Sequence, residues 1–167
     1  WFSLFFLLNS SLLIQKFLQH CKGERHYLTF LIAFYTGMRR GEILGLHWSD
    51  IDFNKKIIHV CRSLAHVPKS GYMFTTLKTK NSKRQIPVPE FVLHELRTHK
   101  QRQEEWKELV GKLYTDNDLV ICTNTGTLQD PRNVVRVMKR LVKDTKLPNI
   151  RFHDIRHTHA SIPISEG

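Results

Sequence analysis

The sequence has few cysteines, and their arrangement argues against two classes of small protein. Cys21, Cys61 and Cys122 are odd in number, and no two of them have CxxC spacing. This argues against a disulfide scaffold and against a zinc module built on cysteines, and it favours a reducing compartment. The chain also has no internal repeat, low-complexity tract or Gly/Ser linker, so the sequence predicts a single domain.

The chain also lacks the features of a secretory signal or a membrane span. Residues 1–14 (WFSLFFLLNSSLLI) are mostly apolar, but they have no basic start and no small-x-small cleavage site. A spanning helix needs about 20 apolar residues, and Asn9, Ser10 and Ser11 interrupt this run. We interpret it as a packing segment or a docking arm. Because Trp1 rather than Met begins the sequence, we expect a piece of a longer chain.

Positive charge is what the sequence has in excess. The 167 residues carry 26 Lys and Arg against 15 Asp and Glu, which gives a net charge of +11. The hydrophobic fraction of 41% is enough for a packed core. A strongly basic globular chain points to a polyanionic partner, with nucleic acid first and an acidic membrane second.

Apolar periodicity predicts a mainly helical chain. Residues 12–21 have helical spacing, and residues 24–36 are apolar on nearly every face, which predicts a helix buried all round that ends at Gly37. Further helices are predicted at residues 39–46, 90–113, 130–147 and 152–162. The helix from Asp130 carries an apolar stripe (Val134, Met138, Leu141, Val142) and a basic stripe (Arg132, Arg136, Arg140, Lys143).

Three short stretches have strand character: residues 56–62, 72–77 and 84–88. The basic segment 78–83 (KTKNSK) joins the second to the third, which predicts a hairpin, and Pro87 and Pro89 place the third strand at an edge. The predicted fold is therefore mainly α with a small three-stranded antiparallel sheet, an α+β class.

Three clusters of charged residues offer chemistry, and the densest is FHDIRHTHAS. His153 and Arg156 are three residues apart and share a helical face, which suits a phosphate. His153 and His157 also have metal-ligand spacing, but no HExxH glutamate is present and Arg156 would put positive charge beside a cation. A surface helix with solvated charges also explains this segment.

The other two clusters are a helix start and the lysine-rich segment. Gly37 permits a tight break after the buried helix, so that Arg39 leaves the core at a fixed position, and Glu42 could brace an arginine. Taken alone, this cluster is equally ordinary for a surface helix. The lysines of LKTKNSKR could reach between DNA phosphates, or they could simply protect a strand edge.

Together and in this order, the clusters resemble the tyrosine recombinases (the phage-integrase family), and more narrowly the integrases of bacterial mobile elements. TGMRRGEILGLHWSDIDF is similar to the family's first arginine box, LKTKNSKRQIPVP to its catalytic-lysine hairpin, and FHDIRHTHAS to its second arginine box. The similarity runs from about Phe17 to Gly167. It implies an apolar N-terminal segment over residues 1–16 and a tyrosine-recombinase catalytic domain over residues 17–167.

The resemblance implies a site-specific recombinase that cuts and rejoins DNA through a 3′-phosphotyrosyl intermediate. Arg39 and Arg156 would hold the non-bridging oxygens of the scissile phosphate, and His153 would hydrogen-bond the same phosphate and assist proton transfer. Lys78 would be the general acid for the departing 5′-hydroxyl, with Lys80 as its substitute.

The resemblance also implies supporting residues and partners. Glu42 would brace Arg39, and Asp154 would orient groups at the site. Four basic residues would contact DNA: Lys83, Arg84, Arg132 and Arg136. The basic stripe of the helix from Asp130 is explained equally well as a solvated helix face. The partners would be double-stranded DNA and, in the full-length protein, three further copies in a tetramer. No metal, other cofactor or membrane is implied. The protein would be cytoplasmic, encoded by a bacterium or phage, and associated with the nucleoid.

The chain departs from the family pattern at the nucleophile. The family's tyrosine follows the second arginine box near the C-terminus, whereas all four tyrosines of this chain precede Arg156: Tyr27, Tyr35, Tyr72 and Tyr114. We therefore expect a C-terminally truncated catalytic domain that has the phosphate site, lacks the nucleophile and is inactive alone. The alternative is a truncated, inactive relic or regulator that binds DNA.

Overall fold

The chain forms two compact units, which a computed structural model describes over residues 12–76, 83–145 and 151–155. The central unit is Arg40–Pro131, and the terminal unit consists of the residues up to Arg39 together with those from Arg132 onward. The fold is helix-rich with a small three-stranded antiparallel sheet, which confirms the predicted class. Within the described ranges, no helix is long and apolar enough to cross a membrane.

The core of the terminal unit is built on helix α2, Tyr27–Thr36, which is buried on nearly all sides as predicted. Helix α1, residues 12–20, packs on it: the ring of Phe17 meets those of Phe30 and Phe34 edge-on at centroid distances of 5.3 and 5.7 Å. Helix α2 begins later than the predicted residue 24, because residues 21–26 form turns in which Gly23 has a φ of 94°.

Helix α5, Pro131–Asp144, is amphipathic as its sequence pattern predicts. Its apolar stripe is buried: Val134, Met138, Leu141 and Val142. After its last turn, the Thr145 hydroxyl donates a hydrogen bond to the Leu141 carbonyl at 2.7 Å. The predicted helix end at Leu147-Pro148 lies outside the described residues.

The central unit carries the remaining elements. In chain order these are α3 (Arg40–Leu44), a 3-10 turn (Trp48–Asp50), β1 (Ile51–Asp52), β2 (Ile57–Val60), β3 (Arg62–Val67), β4 (Gly71–Thr76), β5 (Arg84–Pro87) and α4 (Glu90–Val110). Strands β1, β2 and β5 form the three-stranded sheet in that spatial order, and β3 pairs with β4 in a separate two-stranded sheet.

The strand pairing differs from the prediction that β4 and β5 form one hairpin. Strand β4 instead pairs with β3, with Val67 opposite Gly71, whereas β5 pairs with β2, with Ile58 opposite Ile86. The backbone explains the difference, because Lys69 and Gly71 both have positive φ values, 68° and 77°, at the turn that folds β3 onto β4. The predicted strand 56–62 is accordingly divided at Cys61 between β2 and β3.

The two polar residues that interrupt the apolar stripe of helix α4 have structural roles. Val92 and Leu96 are buried, while His99 and Gln103 use their side chains to hold the buried segment 119–121. The His99 Nε2 lies 2.9 Å from the Val120 carbonyl oxygen, and the Gln103 amide donates to the Leu119 carbonyl at 2.9 Å. The helix ends at Val110, earlier than predicted, and a 3-10 turn, Gly111–Leu113, follows it.

Candidate nucleic-acid interface

The end of helix α2 fixes the backbone position of Arg39. Gly37 adopts the left-handed conformation with φ 60°, and its N–H donates to the Ala33 carbonyl at 3.1 Å. The Thr36 hydroxyl then accepts a hydrogen bond from the Met38 N–H at 3.3 Å, and Met38 is buried. Three consecutive residues before Arg39 are thus tied to the end of a buried helix. Arg39 itself is exposed, as the prediction of a fixed, outward arginine requires.

Helix α3 lies close to strand β3, because a glycine within the helix and another directly after it face that strand. A Cβ at Gly41 would lie 2.5 Å from the Ser63 hydroxyl oxygen and 2.6 Å from the Leu64 carbonyl oxygen. A Cβ at Gly45 would lie 3.2 Å from the Leu64 nitrogen. Only residues without a side chain permit this approach, which seats α3 on β3 and turns Glu42 into the interior.

Glu42 is buried, with 1% of its side chain exposed, and it is paired with Arg84 of β5. The two guanidinium nitrogens of Arg84 donate to the two carboxylate oxygens at 3.0 and 2.8 Å. These hydrogen bonds hold the pKa of Arg84 above its usual value against the opposing effect of burial. The sequence analysis predicts that Glu42 braces Arg39 and that Arg84 contacts DNA. It does not predict the pairing of Glu42 with Arg84.

A sequence signal for this pair does exist, in the alternation of strand β5. Arg84, Ile86 and Val88 are two residues apart, and the latter two are apolar and buried, so all three belong to one face of the strand. Lys83 and Gln85 lie on the alternate positions and are exposed. An arginine in step with two buried residues indicates an inward side chain that needs a carboxylate partner.

The predicted general acid, Lys78, and its substitute, Lys80, lie outside the described residues. Lys83, at the described end of the same basic segment, is exposed. Arg156 and His157 also lie outside the described residues, as does all but the start of the predicted helix 152–162. Among the residues that the structure describes, no three His, Cys, Asp or Glu side chains come together as a metal site.

His153 and Asp154 are presented by a short turn anchored in the terminal core. Phe152 packs against Phe30 of α2 at a ring-centroid distance of 6.3 Å, and Ile155 is fully buried. Between these two anchors, His153 and Asp154 are exposed. The Asp154 carboxylate accepts a hydrogen bond from the Arg151 N–H at 2.9 Å, so this residue orders the turn that carries His153.

The basic stripe of α5 lies on its exposed side. All four members are exposed: Arg132, Arg136, Arg140 and Lys143. Arg136 donates to the Asn133 side chain at 3.0 Å, and Arg140 pairs with Glu24 at 2.9 Å. The stripe therefore presents several cations along one helical face, an arrangement that can follow a row of phosphates.

Comparison with known proteins supports the same interpretation. A model of the Phage integrase family matches residues 10–167. A tyrosine recombinase XerC-like protein of Caldanaerobacter subterraneus subsp. tengcongensis is 37% identical over 92% of this chain and 42% of its own length. The ICEBs1 integrase of Bacillus subtilis is 35% identical over 83% of this chain and 37% of its own length. The chain thus spans about two fifths of the length of these curated relatives.

A solved structure has a similar fold. The integrase of transposon Tn1549, in complex with circular intermediate DNA, aligns with a TM-score of 0.70 and 25% identity. The alignment covers 87% of this chain and 50% of that integrase chain. The described elements therefore match a stretch that is about half of a DNA-bound recombinase.

Proposed function

Because this chain belongs to the phage integrase family, we propose that it binds double-stranded DNA and holds one backbone phosphate for cleavage and rejoining of the strand. The observation that carries the proposal is the placement of Arg39 and His153. Both are exposed, and both lie directly beside residues buried in the core around α2. A rigid base of this kind suits side chains that must meet a phosphate with fixed geometry.

The proposed chemistry follows from the charge that develops on the phosphate. Attack by a tyrosine oxygen forms a bond to phosphorus and breaks the bond to the 5′-oxygen, and negative charge grows on the non-bridging oxygens. Arg39, His153 and Arg156 would stabilise that charge with hydrogen bonds present before the reaction begins. Lys78, or Lys80 in its place, would give a proton to the 5′-oxygen as it leaves.

We propose further that none of the four tyrosines of this chain is the nucleophile. Tyr35 lies in the buried helix α2, where burial raises its pKa, and Tyr72 lies in strand β4. The pKa of Tyr114 is also raised, first by burial and then by the neighbouring Cys122. A raised pKa disfavours the phenolate that attacks phosphorus. Tyr27 begins α2. The 167 residues would then bind the phosphate without cutting the strand.

In the whole protein, the resemblance to the family favours assembly of four copies on DNA, in a bacterial cell and in association with the nucleoid. A role limited to binding DNA, as a regulator or relic, uses the same surface and differs only in the missing covalent step. A single experiment separates the two parts of the proposal, because binding and covalent capture are measured independently.

The test uses the chain with a nicked suicide duplex and with an intact duplex of the same sequence. We expect salt-dependent binding to both and no covalent adduct on either. Replacing both Arg132 and Arg136 with Gln should reduce the slope of log affinity against log salt by up to about 1.8, since each lost phosphate contact removes about 0.9.

The matched control is Lys112→Gln, which removes one charge from an exposed residue of the 3-10 turn after α4. It should leave the salt slope close to that of the unmodified chain. An adduct formed by the chain alone would disprove the assignment of the tyrosines. A salt slope unaffected by the Arg132 and Arg136 substitutions would remove α5 from the DNA-binding surface.

A further inference from the structure

Two adjacent basic residues, Lys83 and Arg84, have opposite surroundings. Lys83 is exposed, and Arg84 has 29% of its side chain exposed. Strand β5 pairs with β2 so that Arg84 lies opposite Val60 and Ile86 opposite Ile58, both of which are buried. The pleat of the strand therefore turns Arg84 towards the core side, and Lys83, directly before the strand, is exposed.

The guanidinium of Arg84 is paired with a carboxylate. Its two terminal nitrogens donate to the two oxygens of Glu42, a bidentate arrangement that matches the way an arginine would hold a phosphate. A DNA phosphate could take that position only by displacing Glu42. The displacement would separate a carboxylate that is 1% exposed from the guanidinium that pairs with it, which is strongly unfavourable.

We propose that Arg84 is a positioning residue rather than a DNA contact, and that Lys83 is the member of this pair that meets the phosphate backbone. Arg84 acts through Glu42, which ties strand β5 to helix α3. The DNA contact of Lys83 rests on the proposed function. The positioning role of Arg84 rests on the geometry of its pair with Glu42.

The register of the strand explains how the pair affects Lys83. Side chains alternate across a strand, so a slip of one residue in β5 would exchange its two faces and move Lys83, which directly precedes the strand, from its exposed position. The hydrogen bonds between Arg84 and Glu42 oppose such a slip, because any other register separates them. Helix α3 is itself seated closely on β3 through Gly41, so Glu42 is a fixed anchor.

The test compares four single variants of the chain: Lys83→Gln, Arg84→Gln, Arg84→Lys and Glu42→Gln. Thermal unfolding and duplex-DNA binding at several salt concentrations are measured, with binding carried out well below every melting temperature. Lys83→Gln should reduce the salt slope by about 0.9 with Tm unchanged. The two Arg84 variants and Glu42→Gln should each lower Tm by about 10 °C, because each breaks a buried charged pair.

The decisive measurement is the DNA affinity of Glu42→Gln. Positioning predicts an affinity reduced to the level of Lys83→Gln, with no further loss when the two substitutions are combined. If Arg84 contacted DNA, removal of Glu42 would release its guanidinium and affinity would rise, which overturns the inference. Additive losses from Lys83→Gln and Arg84→Gln would overturn it as well, as would a fall in Tm with unchanged affinity.

A conservative change at each of the two residues keeps the outcome clear. Lys83→Arg should retain both affinity and salt slope, since an outward cation is enough at that position, whereas Arg84→Lys keeps the charge but loses the bidentate bonds. If the unmodified chain shows no salt-dependent binding to DNA, the proposed function fails. The Tm values of Glu42→Gln, Arg84→Gln and their double variant still show whether the two residues act as a pair.

Discussion

Basic residues have opposite roles in the two units of the molecule. In the central unit, Arg84 points inward and its charge is matched by Glu42, which is buried. In the terminal unit, the basic stripe of α5 points to solvent, and the buried side of that helix is apolar. The net charge of +11 therefore says little about how many cations can reach a polyanion. The face on which each residue lies determines that number.

The arginines of α5 and Arg84 of β5 differ because the two elements pack against different surroundings. Helix α5 covers an apolar core, so its arginines gain nothing by turning inward and remain hydrated. Arg84 of strand β5 reaches Glu42 of α3, a helix whose backbone approaches β3 closely at Gly41. A buried carboxylate needs a cation with bidentate geometry, and an arginine supplies it better than a lysine.

The largest expected effect comes from Gly41→Ala, which breaks the seat of α3. The added methyl group would overlap the Ser63 side chain and the Leu64 carbonyl, and the carbonyl belongs to a paired strand. We expect a loss of about 3 kcal/mol or more in the free energy of unfolding. Chemical denaturation measures this loss.

The matched control for that change is Gly23→Ala. Among the described residues, and apart from the two chain neighbours of Gly23, no heavy atom lies within 4 Å of an added Cβ, but its φ of 94° is unfavourable for alanine. Its cost should come from backbone strain alone, about 1 kcal/mol. Equal losses for the two variants would mean that close packing at α3 is not what holds Glu42 inside.

The seat of α3 also shows where sequence reasoning stops. The buried helix α2, the break at Gly37 and the two stripes of α5 were predictable, because each depends on a local pattern of period 3.6 or on one glycine. The Gly41 contact with β3 depends on which strand passes that glycine, and no local pattern encodes it. The partner of β4 was mispredicted for a related reason: the turn with positive φ at Lys69 was not recognised.

The candidate site was predictable to a different extent at each residue. Arg39, His153 and Arg132 are exposed, as a phosphate contact must be, and their roles stay predictions. For Arg84, charge suggested a DNA contact, while its alternation with Ile86 and Val88 indicated the interior. The alternation is the more reliable signal, since it reports which side of the strand is buried.

A smaller effect on the free energy of unfolding is expected from pH, because the side chain of His99 faces the interior of the central unit. Burial lowers the pKa of His99, the hydrogen bond to the Val120 carbonyl opposes this shift, and the charge of Arg102 adds to it. His99 in the unfolded chain therefore binds a proton at a pH at which His99 in the folded chain is still neutral. The contribution of His99 to the free energy of unfolding should be constant above the usual histidine pKa and should fall as pH drops below it.

Unfolding experiments between pH 8 and pH 5 measure this effect. His99→Gln should reduce the slope below the usual histidine pKa, by at most about 1.4 kcal/mol per pH unit for one proton. Gln101→Ala, a change at an exposed residue of the same helix that does not titrate, should leave the slope unchanged. An unchanged slope in His99→Gln would mean that this ring is not a source of the acid sensitivity.

The smallest effect is expected at the ion pair between Arg140 and Glu24 in the terminal unit. Its N–O distance of 2.9 Å is almost the same as the 2.8 Å between Arg84 and Glu42. The side chains of Arg140 and Glu24 are 53% and 33% exposed, however, so water and salt screen their attraction. Arg140→Gln should therefore change the free energy of unfolding by no more than about 0.5 kcal/mol, and less still at high salt. A loss as large as that in Arg84→Gln would show that distance, rather than burial, sets the strength of both pairs.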